Sequence, residues 1–98
     1  MRAEYDSHAD ALSIDLVSVT SYRGALTIDD DYCTVALADG ERAANVELLS
    51  PRNHLYLLTL AAERLSLDRL ALQAAAKAAL AAPDRPIDLT VRPSSTAA

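Results

Sequence analysis

Three residues near the start of the sequence have side chains that can bind a metal ion. Asp6, His8 and Asp10 stand at alternate positions in the stretch YDSHADALSIDL. Carboxylate oxygens and an imidazole are suitable ligands for Zn²⁺, Mn²⁺ or Ni²⁺. The alternative is turn chemistry, because an Asp side chain readily accepts a hydrogen bond from the backbone N–H two residues further on. A metal site at these three residues is therefore one hypothesis, and an Asp-stabilised turn before a strand is the other.

A second acidic group consists of the consecutive residues Asp29, Asp30 and Asp31. Three carboxylates can bind a hard cation such as Ca²⁺ or Mg²⁺. However, adjacent residues of a strand point to opposite faces, so at most two of these side chains converge. The sequence favours an acidic turn that keeps the end of a strand in water.

The single cysteine, Cys33, would need a base such as His8 or His54 to act as a nucleophile. Its position in an alternating run groups it with Val35 and Leu37, and a buried Cys behaves as a small hydrophobic residue. His54 itself is more simply interpreted as a surface residue or a hydrogen-bonding partner. The sequence contains no G-x-S-x-G, C-x-x-C, phosphate-binding loop, G-x-G-x-x-G or H-E-x-x-H string. We assign no catalytic and no cofactor-binding residue, and a non-enzyme is the simpler interpretation.

The elements that position these residues begin with a sheet. Five runs in the first half alternate apolar and polar residues: RAEY, ALSIDLV, GALTID, YCTVALA and AANVELL. This pattern predicts an antiparallel sheet with one face in water and one in the core. The Asp39-Gly40 pair predicts a hairpin turn, and a meander over residues 2–49 is the simplest topology. The face in water would carry five carboxylates, which suit either acid–base chemistry or a solvated surface: Glu4, Asp15, Asp29, Glu47 and Asp88.

The spacing of apolar residues changes after residue 49. Ser50-Pro51 is typical of a helix start, with Ser as a cap, and Leu55, Leu58, Ala62 and Leu65 follow at helical spacing. Because the same stretch also alternates over 54–58, the sequence leaves helix and strand open for residues 51–65.

A second helix is predicted over Leu67–Ala82, capped by Ser66 or Asp68. Its polar stripe consists of Arg69, Gln73 and Lys77, and nearly all other positions are Ala or Leu. This apolar surface is wider than one sheet face needs, so it predicts either a self-association surface or a helix held between the sheet and the first helix.

The whole chain reads as one α+β domain over residues 1–92. It comprises the meander 2–49, the helical segment 51–82 and a final strand 86–92, followed by a flexible tail at 93–98. The predicted architecture is an antiparallel sheet of five to six strands with two helices packed on one face.

The composition narrows the function classes. The chain has 98 residues and a net charge of −5, which disfavours nucleic-acid binding because the overall field repels phosphate. The polar start predicts no signal peptide, and no run approaches the ~20 apolar residues of a membrane span. One cysteine excludes an intrachain disulfide, and a cytoplasmic location is the expectation.

The residues EYDSHADALSIDL, followed by Asp39-Gly40 and then NVELL, resemble a small bacterial family called domain of unknown function 2283. Its members tend to read Y-D-x-x-A-D-A-L-Y-I-x-L, and the likeness covers about the first half of the chain. This sequence departs from the family pattern at Ser7, His8 and Ser13. The resemblance implies a small β-rich fold with no established activity, and an antitoxin-like role as the partner of a small protein.

Three functional hypotheses follow. The first is a non-enzymatic interaction module that forms a homo-oligomer through the Leu67–Ala82 helix. The second is a regulatory partner of another small protein, and the third is a metal-binding or hydrolytic protein that uses Asp6, His8 and Asp10.

Overall fold

The computed structural model describes residues 1–89, so the end of the strand predicted at 86–92 and the tail predicted at 93–98 lie outside the described residues. It contains six strands, all antiparallel to their neighbours, and three helices. The strands are β1 (Arg2–Asp6), β2 (Ala11–Asp15), β3 (Gly24–Asp29), β4 (Cys33–Leu37), β5 (Ala43–Leu49) and β6 (Pro86–Asp88). The helices are α1 (Pro51–His54), α2 (Tyr56–Leu65) and α3 (Arg69–Ala81). The predicted α+β class with an antiparallel sheet is confirmed.

The strand order in the sheet is β3-β4-β5-β2-β1-β6. Consecutive strands pair within β1–β2 and within β3–β5, as in a meander. The order departs from a strict meander at one step, because β2 pairs with β5 and not with β3. The cause lies in the side chains, since Ile14 of β2 stands opposite Val46 of β5 and both are fully buried. Strands β2 and β5 thereby form the centre of the sheet.

The core lies between one face of the sheet and the helices. Helix α3 packs across β1 and β2, and α2 lies beside α3 and packs over β3. Every buried residue in the described part of the chain is apolar, and the largest fully buried side chains are Leu12, Ile14, Leu48, Leu57, Leu58 and Leu72. The core therefore forms from the alternating strand residues and one face of each long helix.

Residues 51–65 are helical, with a break at Leu55 that separates α1 from α2. Pro51 occupies the first turn as predicted. The expected cap by Ser50 is wrong, because Ser50 adopts a left-handed conformation (φ 48°) and its hydroxyl caps no backbone N–H. Of the two candidate caps for α3, Asp68 is the one observed, since its carboxylate accepts a hydrogen bond from the Ala71 N–H at 3.0 Å.

The turn between β4 and β5 contains the predicted Asp39-Gly40 pair. Gly40 has a positive φ of 74°, a conformation that glycine adopts without steric cost. At the other end of β4, the ladder with β3 has a bulge between Thr27 and Asp29, which brings Asp29 opposite the buried Cys33. The prediction that Asp29 follows the simple alternation onto the solvated face is therefore wrong.

Candidate functional site

The D-x-H-x-D stretch forms the turn between β1 and β2. The Asp6 carboxylate accepts hydrogen bonds from the backbone N–H groups of His8 at 2.9 Å and Ala9 at 3.1 Å. Asp10 adopts a left-handed conformation, and its carboxylate accepts a hydrogen bond from the Tyr5 hydroxyl at 2.7 Å. That hydrogen bond raises the pKa of Tyr5. Both carboxylates are thus engaged in the turn, and the exposed His8 side chain lies beside it.

A distant residue, Asp84, also holds this turn. Its carboxylate accepts hydrogen bonds from the Ser7 backbone N–H at 2.8 Å and from the Ser7 hydroxyl at 2.5 Å. Its own N–H donates to the Tyr5 carbonyl at 2.7 Å. The hydrogen bonds from Ser7 lower the pKa of the Asp84 carboxyl. This contact is not predictable from the sequence, because 77 positions separate the two partners and no local pattern links them.

Within residues 1–89, no three His, Cys, Asp or Glu side chains are grouped so that they could hold a metal ion together. The turn geometry is the alternative that the sequence left open for Asp6, His8 and Asp10. Metal binding at these residues stays a prediction.

The second acidic group also forms a turn. The Asp29 carboxylate accepts hydrogen bonds from the backbone N–H groups of Asp31 and Tyr32, both at 3.0 Å. The side chains of Asp30 and Asp31 are exposed at the end of β3. This arrangement is the acidic strand end that the sequence favoured.

Cys33 is buried in the core with only 2% of its surface exposed. Burial, together with the nearby negative charge of Asp29, raises the pKa of the Cys33 thiol to about 11. A thiol with this pKa is protonated near neutral pH and is a poor nucleophile. The expectation that Cys33 is a core residue is therefore confirmed.

The second histidine, His54, is half-buried beside two aromatic residues. Its ring stacks on Tyr32 with centroids 3.7 Å apart, and Tyr56 lies at 6.2 Å on a tilted plane. The ring Nδ1 lies 2.9 Å from the Ser50 carbonyl oxygen. His54 therefore links the start of β4 to the start of the helices, and its hydrogen bond is one of the roles that the sequence suggested.

The solvated face of the sheet carries four of the five predicted carboxylates. Glu4 and Glu47 flank Ser13 in one cross-strand row, and Asp15 and Asp88 flank Arg2 in the next. Asn45 donates hydrogen bonds to both Ser13 at 2.8 Å and Asp15 at 2.7 Å. A shallow depression of about 270 Å³ lies over β1, β2 and β5. The face is acidic and solvated.

An apolar depression lies between the two long helices. It is a groove of about 390 Å³ between α2 and α3, lined by Leu55, Tyr56, Thr59, Gln73, Lys77 and Leu80. Gln73 donates a hydrogen bond to the Thr59 hydroxyl at 3.3 Å across the floor. Lys77 is the only lysine of the chain, and its long aliphatic part can lie along apolar neighbours.

Large apolar side chains are exposed on the helical segments that form this groove. The exposed fractions are 59% for Tyr56, 66% for Leu70, 41% for Leu60 and 40% for Leu55. We call these four residues and the groove the helical surface. The opposite side of α3 is covered, since Leu72, Ala75, Ala76 and Ala79 pack inside the molecule. Most of the wide apolar surface predicted for α3 is therefore internal. Its exposed large apolar residue, Leu70, belongs to the helical surface together with the exposed residues of the first helical segment.

Comparisons with family models, curated proteins and solved structures found no match for this chain. The resemblance to the domain of unknown function 2283 therefore stays a prediction. Among residues 1–89, none of the helices combines the length and the apolar character needed to cross a lipid bilayer.

Proposed function

We propose that this protein is a non-enzymatic interaction module that associates with a second copy of itself through the helical surface. The observation that carries the proposal is an apolar groove lined by the exposed Leu55 and Tyr56, together with the exposure of Leu60 and Leu70 on the two helices that form it. Single exposed apolar residues are ordinary on proteins, whereas a contiguous group of large ones is typical of an interaction site.

The exposed apolar surface is of a size that corresponds to a weak dimer. The exposed fractions of the four residues add up to about two whole side chains. Burial of one such side chain contributes roughly 1.5–3 kcal/mol, so a symmetric contact gains roughly 6–12 kcal/mol. Association costs about 4–15 kcal/mol in lost freedom. The two ranges overlap, so the gain and the cost are of similar size, and the dimer that we propose is reversible and not obligate.

A second copy is the occupant that fits the shape of the surface. Tyr56 stands on the rim of the groove with more than half of its surface exposed, and the groove beside it is larger than an aromatic ring. Across a twofold axis, Tyr56 of each protomer can enter the groove of the other, because such a contact uses the same patch twice. Buried tyrosines are among the residues that contribute most to interfaces.

The experiment compares two exposed tyrosines. Tyr56→Ser removes the proposed anchor, and Tyr22→Ser is the matched control, because Tyr22 is 54% exposed in the link between β2 and β3. We expect the melting temperature of the wild type and of Y22S to rise with protein concentration, since dimerisation stabilises the folded state by mass action. We expect this rise to be much smaller in Y56S.

A different small protein as the occupant is the alternative that the family resemblance implies. It predicts a wild-type melting temperature that is independent of concentration, with stabilisation only when that second protein is added. That result would contradict self-association.

A further inference from the structure

The sheet has two edges, and they differ in their capacity to pair with another strand. At one edge lies β6, which has three residues and begins with Pro86, a residue without a backbone N–H. At the other edge lies β3, which has six residues and pairs only with β4 within the described part of the chain. The outer N–H and C=O groups of β3 are a template for a further strand.

The protection of the β3 edge is partial. Proteins block exposed edges with proline, lysine, bulges or short strands. Strand β3 has a bulge near its end, and Arg64 of α2 donates a hydrogen bond to the Thr27 carbonyl at 3.3 Å. The first half of the strand has neither device. A side chain added at Gly24 would meet nothing within 4 Å, and Ala25 is exposed.

Opposite charges stand at the two ends of β3. Arg23 precedes the strand with 68% of its side chain exposed, where it forms an ion pair with Asp39 at 2.6 Å. Asp30 and Asp31 follow the strand and are exposed. If two copies of β3 pair antiparallel about a twofold axis at Leu26 or Thr27, Arg23 of one copy comes opposite residues 29–31 of the other.

We propose that β3 pairs antiparallel with β3 of a second copy, which joins the two sheets into one of twelve strands. The charges select this occupant, because a twofold axis brings the basic end of each strand to the acidic end of its mate twice. A basic extended peptide would match only the acidic end, and an acidic one only Arg23. The bulge and Arg64 limit the strength of the pairing, so the contact is weak and reversible.

This contact uses a different surface from the groove of the proposed dimer. It is therefore tested in a chain that carries Tyr56→Ser and Leu70→Glu, which removes the helical surface. We expect this chain to retain a weak dimer in sedimentation equilibrium. If these two substitutions do not change the association of the wild type, the groove proposal fails while the edge proposal stands.

Reversal of the charges at the two ends of β3 tests the proposed pairing directly. In that background, Arg23→Asp replaces two attractive contacts with two repulsive ones, and we expect at least a roughly tenfold weaker dimer, because exposed pairs contribute modestly. The pair of substitutions Asp30→Arg and Asp31→Arg should have the same effect. The mixture of the two charge variants should form a one-to-one heterodimer in native mass spectrometry, since every contact is then attractive.

The matched control is Arg85→Asp, which makes the same charge change at an exposed residue just before β6, at the opposite edge of the sheet from β3. We expect R85D to dimerise like its parent. Amide hydrogen exchange supplies a second measurement, with slower exchange over residues 25–28 at high protein concentration. The proposal is overturned if the parent chain is monomeric, if R85D weakens the dimer as much as R23D, or if the two charge variants fail to form a heterodimer.

Discussion

The packing of α3 on the sheet makes a sharp prediction about two neighbouring alanines. Ala76 is completely buried on the face of α3 that packs against β1 and β2, whereas Ala74 is exposed on the opposite side. Leu has a helix propensity close to that of Ala, so Ala76→Leu and Ala74→Leu change the intrinsic stability of the helix almost equally. Any difference between them reports the packing of the helix.

The expected difference follows from the burial of Ala76. A leucine adds three carbons at a position that has no exposed surface, and overpacking of this kind costs typically 1–3 kcal/mol. For a domain of this size, each kcal/mol lowers the melting temperature by roughly 4–8 °C. We therefore expect A76L to melt about 5–20 °C below the wild type, and A74L to stay within about 0.5 kcal/mol of it.

Thermal and urea unfolding followed by circular dichroism measure both variants. The protein concentration is kept low, because Ala74 lies one turn from Leu70 on the helical surface and A74L can strengthen association. If A76L is as stable as A74L, the Ala-rich face of α3 is not packed on the sheet. That result would refute the placement of the core and return the whole helix to the candidate interaction surfaces.

Three further predictions concern the turns and the core. Because Asp84 has a lowered pKa, its hydrogen bonds from Ser7 stabilise the fold above the ordinary carboxyl pKa and are lost as pH falls through the lowered value. The urea midpoint of Asp84→Asn should therefore fall less than that of the wild type when the pH is lowered below the ordinary value; equal losses would contradict this. Cys33 should react with iodoacetamide only after unfolding, as its thiol is buried and has a raised pKa; modification of the native protein as fast as of the unfolded chain would contradict its burial. Zn²⁺ should leave the melting temperature unchanged, since Asp6 and Asp10 already accept hydrogen bonds; a rise that disappears in His8→Ala would revive the metal hypothesis.

Much of the fold is predictable from local patterns. The alternation in the first half identifies the strands and the buried residues Leu12, Ile14 and Val46, because a strand with one solvated face must alternate. The α3 start at Asp68 follows from the chemistry of helix caps. These features depend on neighbours in the sequence, so the sequence contains the information directly.

Other features depend on contacts between distant residues. The pairing of β2 with β5 and the bond between Ser7 and Asp84 join parts of the chain that no period or spacing relates. The bulge that turns Asp29 towards Cys33 also breaks the alternation without a sequence signal such as glycine. These contacts arise from tertiary packing, which selects among arrangements that are locally equivalent.

The candidate site is also predictable from the sequence only in part. The apolar composition of the Leu67–Ala82 segment predicts a surface in need of cover, but it does not say how much the molecule itself covers. In the structure, Leu72, Ala75, Ala76 and Ala79 of α3 are buried, and the large apolar residues that stay exposed on the helices include Leu70 on α3 and Tyr56 on α2. Packing decides which residues of two helices lie across a groove from each other. The position of Tyr56 beside the groove is therefore visible only in the three-dimensional structure.

Self-association through the helical surface is the central claim, and the molar mass in solution tests it most directly. Light scattering over a hundredfold range of concentration, roughly the range over which a reversible dimer changes its population, gives this mass for the wild type and for Leu70→Glu. A mass for the wild type that rises from one chain towards two or more, together with a weaker rise for L70E, is the predicted result. A wild-type mass that stays at one chain over the whole range, or an unchanged rise in L70E, would contradict the claim.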